Sequence, residues 1–361
     1  MDLHKLIYQP VASQPDWFRI PASVASFLWL VLAKIKNSLY DKGLLKQRVL
    51  PGICLSVGNI AVGGTGKSPV VTYITRLLVN RGYSVGILTR GYGSGLGKHD
   101  FLCLLNGDIL YHQGRLPETL PDEAMMQSLA LPDVPVLASP DRYQSALLYQ
   151  KQAKTMPQIW ILDDGFQHRK LFRHIDLTLL DSTKPFGNGK VLPQGTLREP
   201  SAGLDRSSAI LLTRSQSLSV SEGNRKILDV LTKAPLIPVT FTQKWPVSIR
   251  DQFPYEKGAS GDLWLVSGIA EPDRLLHALK GLGITVTGTY FVDDHESFSV
   301  KPHEANLRRL SETKDIIITE KDFSRDRSLF LDLPGRVFIL PLVINLPDED
   351  LLRVLAPCFK L

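Results

Sequence analysis

The sequence predicts an α/β protein with a mostly parallel sheet flanked by helices, joined to a second, smaller α/β domain. Three observations carry that expectation. Short apolar runs alternate with helical patterns along most of the chain. One run, Ile53 to Val57, enters a glycine-dense turn that ends in a lysine and a hydroxyl. Another, Ile159 to Leu162, ends in the acids Asp163 and Asp164.

The stretch Pro51 to Pro69 organises the rest. After the buried-type strand come Gly63, Gly64 and Gly66, then Lys67 and Ser68, and then Val70, Ile74, Leu77 and Leu78 on one helical face. Strand, glycine turn, Lys-Ser and helix is the order of a phosphate-binding loop, so the expected architecture is P-loop NTPase-like. The glycines let the amides from Val62 through Thr65 to Ser68 curl around one anion, at a helix N-terminus that favours negative charge. Lys67 would neutralise β- and γ-phosphates and Ser68 would ligate Mg²⁺. Pro69 is tolerated in the first helical turn. Ala61 stands where the general pattern has its first glycine.

Composition sets the class. The chain has 361 residues, 43% apolar and 22% charged, which suits a folded protein of two domains. A net charge of +6 suits an anionic partner without choosing among nucleotide, phosphorylated substrate, membrane and nucleic acid. Cys54, Cys103 and Cys358 are far apart and form no C-x-x-C, so neither a disulfide framework nor a zinc site is indicated.

Residues 1–48 are set apart as an apolar and basic helical segment. Ile20 to Ala33 carries no charge, and Lys34, Lys36, Lys42, Lys46 and Arg48 follow it with only Asp41 against them. The uncharged run is short of the ~20 residues a spanning helix needs. Two readings stand: a helix lying in the headgroup region of an anionic membrane, or a core helix with a basic turn.

Residues 49–250 are expected to form the catalytic domain. Tyr83 to Thr89 reads as a strand, and Arg90 at its end is a candidate anion contact or a plain surface arginine. Residues 93–114 read as loop or hairpin. Asp122 and Glu123 open a helix, as acids do on structural grounds alone, and Asp141 and Arg142 begin another. The strand ending at Asp163-Asp164 has the form of a Walker-B element, whose carboxylate holds Mg²⁺ beside the P-loop. Gln167 and His168 add polar groups to that loop. Ile175 to Leu180, Ala209 to Thr213 and Leu236 to Phe241 read as further strands. The long connection between the first two, residues 182–203, carries Arg198 and Glu199, suited to γ-phosphate and metal. Thr213 and Arg214 are candidates for adenine.

A polar, proline-bearing stretch from Gln243 to Gly261 reads as the boundary. Residues 251–345 then read as the smaller domain, with strands at 263–266, 285–292, 315–319 and 336–340 and helices at 272–282 and 304–310. Asp294 and His295 lie at a strand end, where neighbouring acids can orient a histidine. Residues 346–361 read as a C-terminal helix.

With these residues together, the chain resembles the tetraacyldisaccharide 4′-kinases, the lipid A 4′-kinases of Gram-negative bacteria. The resemblance rests on Ser56-Val57-Gly58-Asn59 leading into Gly63 to Pro69, Arg90-Gly91-Tyr92-Gly93 and Asp122-Glu123. It continues through Asp163 to His168, Leu197-Arg198-Glu199-Pro200, Asp294-His295 and Thr319-Glu320-Lys321-Asp322. The family shares the missing first glycine. Ser68 replaces the commoner threonine, and Glu296 stands where a second histidine is frequent. The resemblance implies phosphate transfer from ATP, with Mg²⁺, to the 4′-hydroxyl of a tetraacylated glucosamine disaccharide 1-phosphate, giving lipid IV-A. It implies a peripheral enzyme at the cytoplasmic face of the inner membrane, expected to act as a monomer. Asp122 corresponds to the family's proposed general base and His295 to its partner across a cleft that closes on substrate.

Two other classes fit the sequence less well. The loop is similar to that of ATPase switches that deliver metals or partition DNA, but those carry an extra lysine where this chain has Val62. A nucleic-acid-binding ATPase would suit the basic charge, yet no basic–aromatic ladder or known module is present.

Overall fold

A computed structural model of the chain describes residues 6–117, 119–213, 222–256, 262–269, 272–293 and 296–359. The chain divides into two compact units: Met1–Arg90, Asp141–Thr240 and Asn345–Leu361 in the first, Gly91–Pro140 and Phe241–Ile344 in the second.

The first unit is built on parallel strands in the order Leu236–Gln243, Ala209–Thr213, Ile175–Asp181, Ile53–Asn59, Ile159–Asp163 and Val85–Thr89. These strands are apolar on both faces, as parallel strands covered by helices must be; Leu55, Val57, Ile87, Ile161, Leu177 and Leu211 are inaccessible to solvent. The strand Ile53–Asn59 lies at the centre, and its register sets Val57 beside Asp163. The glycine turn and the acidic turn therefore leave the sheet side by side. Two glycines allow the backbones to close there. A Cβ on Gly58 would sit 2.6 Å from the Phe166 amide nitrogen, and one on Gly165 would sit 2.6 Å from Ser56 Oγ.

The long connection is not idle chain. Residues 191–206 return along the P-loop strand's exit: Val62 N donates to Thr196 O and Arg198 N to Ile60 O, each at 2.8 Å. Val191, Leu197 and Leu204 anchor it in an apolar cluster with Ile60 and Phe166.

The N-terminal segment belongs to this unit rather than standing apart, and its helix runs Asp16–Asp41, 26 residues. The fourteen-residue measure is corrected accordingly: the uncharged run is the middle of a helix about 39 Å long, long and apolar enough by length and composition to cross a membrane. Only Ala22 and Ser26 on it are buried. The C-terminal helix, Asp348–Leu355, also belongs here, and Tyr73 donates to Leu346 O at 3.2 Å.

In the second unit, Leu263–Ser267, Gly288–Phe291, Asp315–Thr319 and Val337–Leu340 form a parallel sheet edged by the short antiparallel strand Val247–Ser248. Phe101–Leu105 pairs antiparallel with Asp108–Gln113, the hairpin expected in 93–114, and with Val136–Ala138. The single catalytic domain expected over residues 49–250 is thus interrupted: 91–140 clusters with 241–344. The reason is packing between distant segments, the helix Asp122–Ala130 lying against the helix Glu320–Arg325.

Candidate active site

At the strand ends of the first unit, Gly63 and Gly66 take left-handed conformations (φ 117° and 81°) that glycine adopts freely. Gly66 is the N-cap of the helix Lys67–Val79 and caps it with no side chain. The first helical amides are therefore left for an anion, the chemistry a triphosphate tail satisfies. Gly63 and Gly64 are exposed, Ser68 lies buried in the first turn, and Asn59 Nδ2 steadies the loop by donating to Thr65 Oγ1 at 3.1 Å.

Asp164 is the electrostatic focus. It is a non-glycine residue at φ 52°, a conformation that costs energy and recurs at functional sites. Arg198 Nη1 donates to both of its oxygens, at 2.9 and 2.7 Å, and Lys67 Nζ lies 3.7 Å away. Burial pushes the Asp164 carboxyl pKa up, but Lys67, Arg198 and Arg142 outweigh it and hold the group below the ordinary carboxylate value. Asp163 is almost inaccessible, while the Asp164 side chain is 35% exposed.

The residues expected to touch substrate lie in different surroundings. Arg90 is exposed at its strand end. Asp141, by contrast, caps the helix Arg142–Ala153, accepting from Gln144 N at 3.2 Å, and lies 3.7 Å from Arg48. Arg142 is buried beneath the acids, donating to Asp163 O at 3.2 Å, so it braces that turn instead of reaching solvent. Gln167 Nε2 donates to Asn59 O and to Glu199 Oε1, joining the two loops. Half-buried His168 has its pKa pushed down to about 3 by burial and by Arg142, Arg173, Lys170 and Lys36, so it is neutral near pH 7.

Glu199, expected at the metal, is tied to its neighbours. It is 3% exposed, with Oε2 accepting from Asn37 and Arg206 and Oε1 from Gln167. These bonds brace the loop at its carboxylate. Among the described residues no three His, Cys, Asp or Glu side chains converge on a metal position. That suits Mg²⁺, which takes one or two carboxylates with phosphate and water oxygens; Ser68 and Asp164 are the fitting donors. Thr213 is buried and donates to Leu180 O, and Arg214 lies outside the described residues.

In the second unit Asp122 opens its helix, largely buried, with Oδ1 accepting from Glu123 N at 3.0 Å. Sequence reasoning missed its partner: Arg325 Nη2 lies 3.4 Å from Asp122 Oδ2, and Ser324 Oγ donates to Asp122 O. No local pattern pairs residues so far apart in the chain. The motif Thr319 to Asp322 is a capping box, and fully buried Asp322 also accepts from Ser267 Oγ and Gly268 N. His295 and Asp294 lie outside the described residues.

A glycine turn opening a helix, a lysine, and acids on the adjoining parallel strand define a P-loop nucleotide-binding protein. The comparisons carry this to the family. The family model described as Tetraacyldisaccharide-1-P 4′-kinase matches residues 19–358, and the chain belongs to that family. A tetraacyldisaccharide 4′-kinase from Pelobacter propionicus is 32% identical, covering 90% of this chain and 87% of its own. One from Desulfatibacillum aliphaticivorans is also 32% identical, over 84% and 82%. The crystal structure of LpxK from Aquifex aeolicus in complex with ATP is similar with a TM-score of 0.73 at 29% identity. It covers 93% of this chain and 97% of that one.

Proposed function

We propose that this chain transfers the γ-phosphate of ATP to the 4′-hydroxyl of a tetraacylated glucosamine disaccharide 1-phosphate, giving lipid IV-A, at the cytoplasmic face of the bacterial inner membrane. The observation that carries this reading is the convergence of Lys67, Arg198 and Asp164 beside an uncapped helix N-terminus. Family membership supplies the acceptor.

The loop amides from Val62 to Ser68 and Lys67 hold the β- and γ-phosphates. Ser68 and Asp164, with Asp163 and Glu199 close by, would hold Mg²⁺; when bound, the ion would offset charge on the phosphates. Arg198 exchanges Asp164 for the transferring phosphoryl group, whose charge it neutralises. Asp122 takes the proton from the sugar hydroxyl as general base, and His295 orients it. Arg90 and Glu123 contact the acceptor. The acyl chains stay in the bilayer, reached by the N-terminal helix, on which Trp17, Ile20, Phe27, Leu28 and Leu32 are exposed. Polar bonds from the same helix to its own unit favour an in-plane position over a spanning one. All these groups come from one chain, so a monomer suffices, and no nucleic acid is required.

The test is a turnover assay with ATP, Mg²⁺ and vesicles carrying the acylated disaccharide. New phosphate at the 4′ position is expected. ATP hydrolysis stimulated instead by DNA or a protein partner would overturn the reading in favour of an ATPase switch.

A further inference from the structure

The N-terminal helix is bolted to the phosphate-transfer loop by its polar side chains. Ser26 Oγ donates to Val191 O and accepts from Gln194 N, each at 2.9 Å. One turn on, Trp29 Nε1 donates to Arg198 O at 2.8 Å. Two turns beyond that, Asn37 Nδ2 donates to Glu199 Oε2 at 2.9 Å, and Arg169 Nη1 fixes Asn37 by donating to its carbonyl at 3.0 Å. The helix therefore grips both residues of the Arg198-Glu199 pair, one by its backbone and one by its carboxylate.

We propose that Asn37 and Trp29 are positioning residues for Arg198, acting through Glu199 and the loop backbone; this rests on the phosphoryl-transfer reading above. Glu199 links three segments that must keep register. Asn37 holds it from the helix, Arg206 from its own loop, and Gln167 from the acidic turn, while Gln167 also donates to the P-loop strand at Asn59 O. Of these donors, Asn37 alone lies outside the loops that form the site. Glu199 is almost wholly enclosed, so a donor lost from Oε2 is not replaced by bulk water. The carboxylate then turns toward Arg206 and carries with it the Gln167 contact and the adjoining Arg198. Arg198 itself is held at its amide by Ile60 O and at its carbonyl by Trp29. Its guanidinium, directed at Asp164, inherits that alignment. The helix proposed to seat on the lipid is thus the one that aims the arginine.

The experiment uses the full chain with ATP, Mg²⁺ and vesicles carrying the acylated disaccharide phosphate. Asn37→Leu keeps the shape and removes the donor. It is expected to lower kcat roughly 10- to 100-fold, as loss of a supporting hydrogen bond at a site does. The KM for ATP, vesicle binding and Tm should stay near wild type. Asn37→Asp, which faces Glu199 with a like charge, should fall further. Trp29→Phe, which keeps the ring and loses the N–H, should fall less. Wild-type kcat in Asn37→Leu overturns the proposal. So does a fall matched by equal loss of ATP binding or of Tm, which would make the contact general scaffolding. A wild-type protein that transfers no phosphate to the disaccharide overturns the underlying reading, and this proposal with it.

Discussion

Two aspartate–arginine pairs in this chain carry the same charges in opposite surroundings. Asp164 and Arg198 are 35% and 25% exposed, meet through two hydrogen bonds, and share their space with Lys67. Asp122 and Arg325 are 10% and 7% exposed and meet through one long contact of 3.4 Å. Arg325 is fixed by other means, its guanidinium donating to Gly268 O and Glu296 O. An ion pair near water is weakly held and can exchange partners at little cost. One enclosed by protein exchanges less readily, because the Asp122 carboxylate would lose a charge partner out of reach of bulk water, while Arg325 is also held 3.8 Å from Asp322. The first pair is suited to release its arginine to a phosphoryl group; the second is suited to keep a carboxylate in place.

The two arginines should respond differently to loss of their charge. Arg198→Met is expected to lower kcat by about a thousandfold, the scale of losing an arginine that neutralises a transferring phosphoryl group. Its Tm should move by no more than about 2 °C. Asp122→Ala should follow, with kcat down roughly 10²- to 10³-fold while ATP binding measured by calorimetry holds. Arg325→Met should cost less turnover, about 10- to 100-fold, but more stability, about 3–8 °C of Tm, because two carbonyls lose their donor. Equal Tm losses in the two arginine variants would remove the distinction drawn between the pairs.

His168 binds its proton less readily folded, at about 3, than unfolded, near 6.5. The unfolded chain therefore takes up more protons as pH falls, and stability drops from pH ~6.5 downward until the folded histidine also titrates. Denaturant midpoints from pH 7 to 4 should decline less steeply in His168→Gln than in wild type. The smallest effect is expected of Ser68→Thr, which keeps the hydroxyl at the helix start and should hold kcat within about twofold.

Local chemistry made much of this legible. The glycine turn, Lys67 and the strand ending at Asp163 are each read within a few residues, because helix, turn and buried strand leave short-range signatures. Other features left no such trace. Glu199 reads as a metal ligand in its own motif, and nothing in that motif announces its bonds to Asn37 and Gln167 on two other segments or to Arg206 on its own loop. Arg142 resembles an exposed helix start, yet lies under the acids. The helices Glu320–Arg325 and Arg327–Asp332 are too short for apolar periodicity to declare them.

By itself the sequence determined the P-loop class, the phosphate-binding chemistry and the order of strands along the chain, since those depend on residue type and spacing. Tertiary structure decided which charges face one another. It set Arg325 against Asp122, tied the N-terminal helix to Glu199, and placed residues 91–140 with 241–344. Such pairings join positions far apart in sequence and are fixed by burial and by the hydrogen bonds that burial makes obligatory.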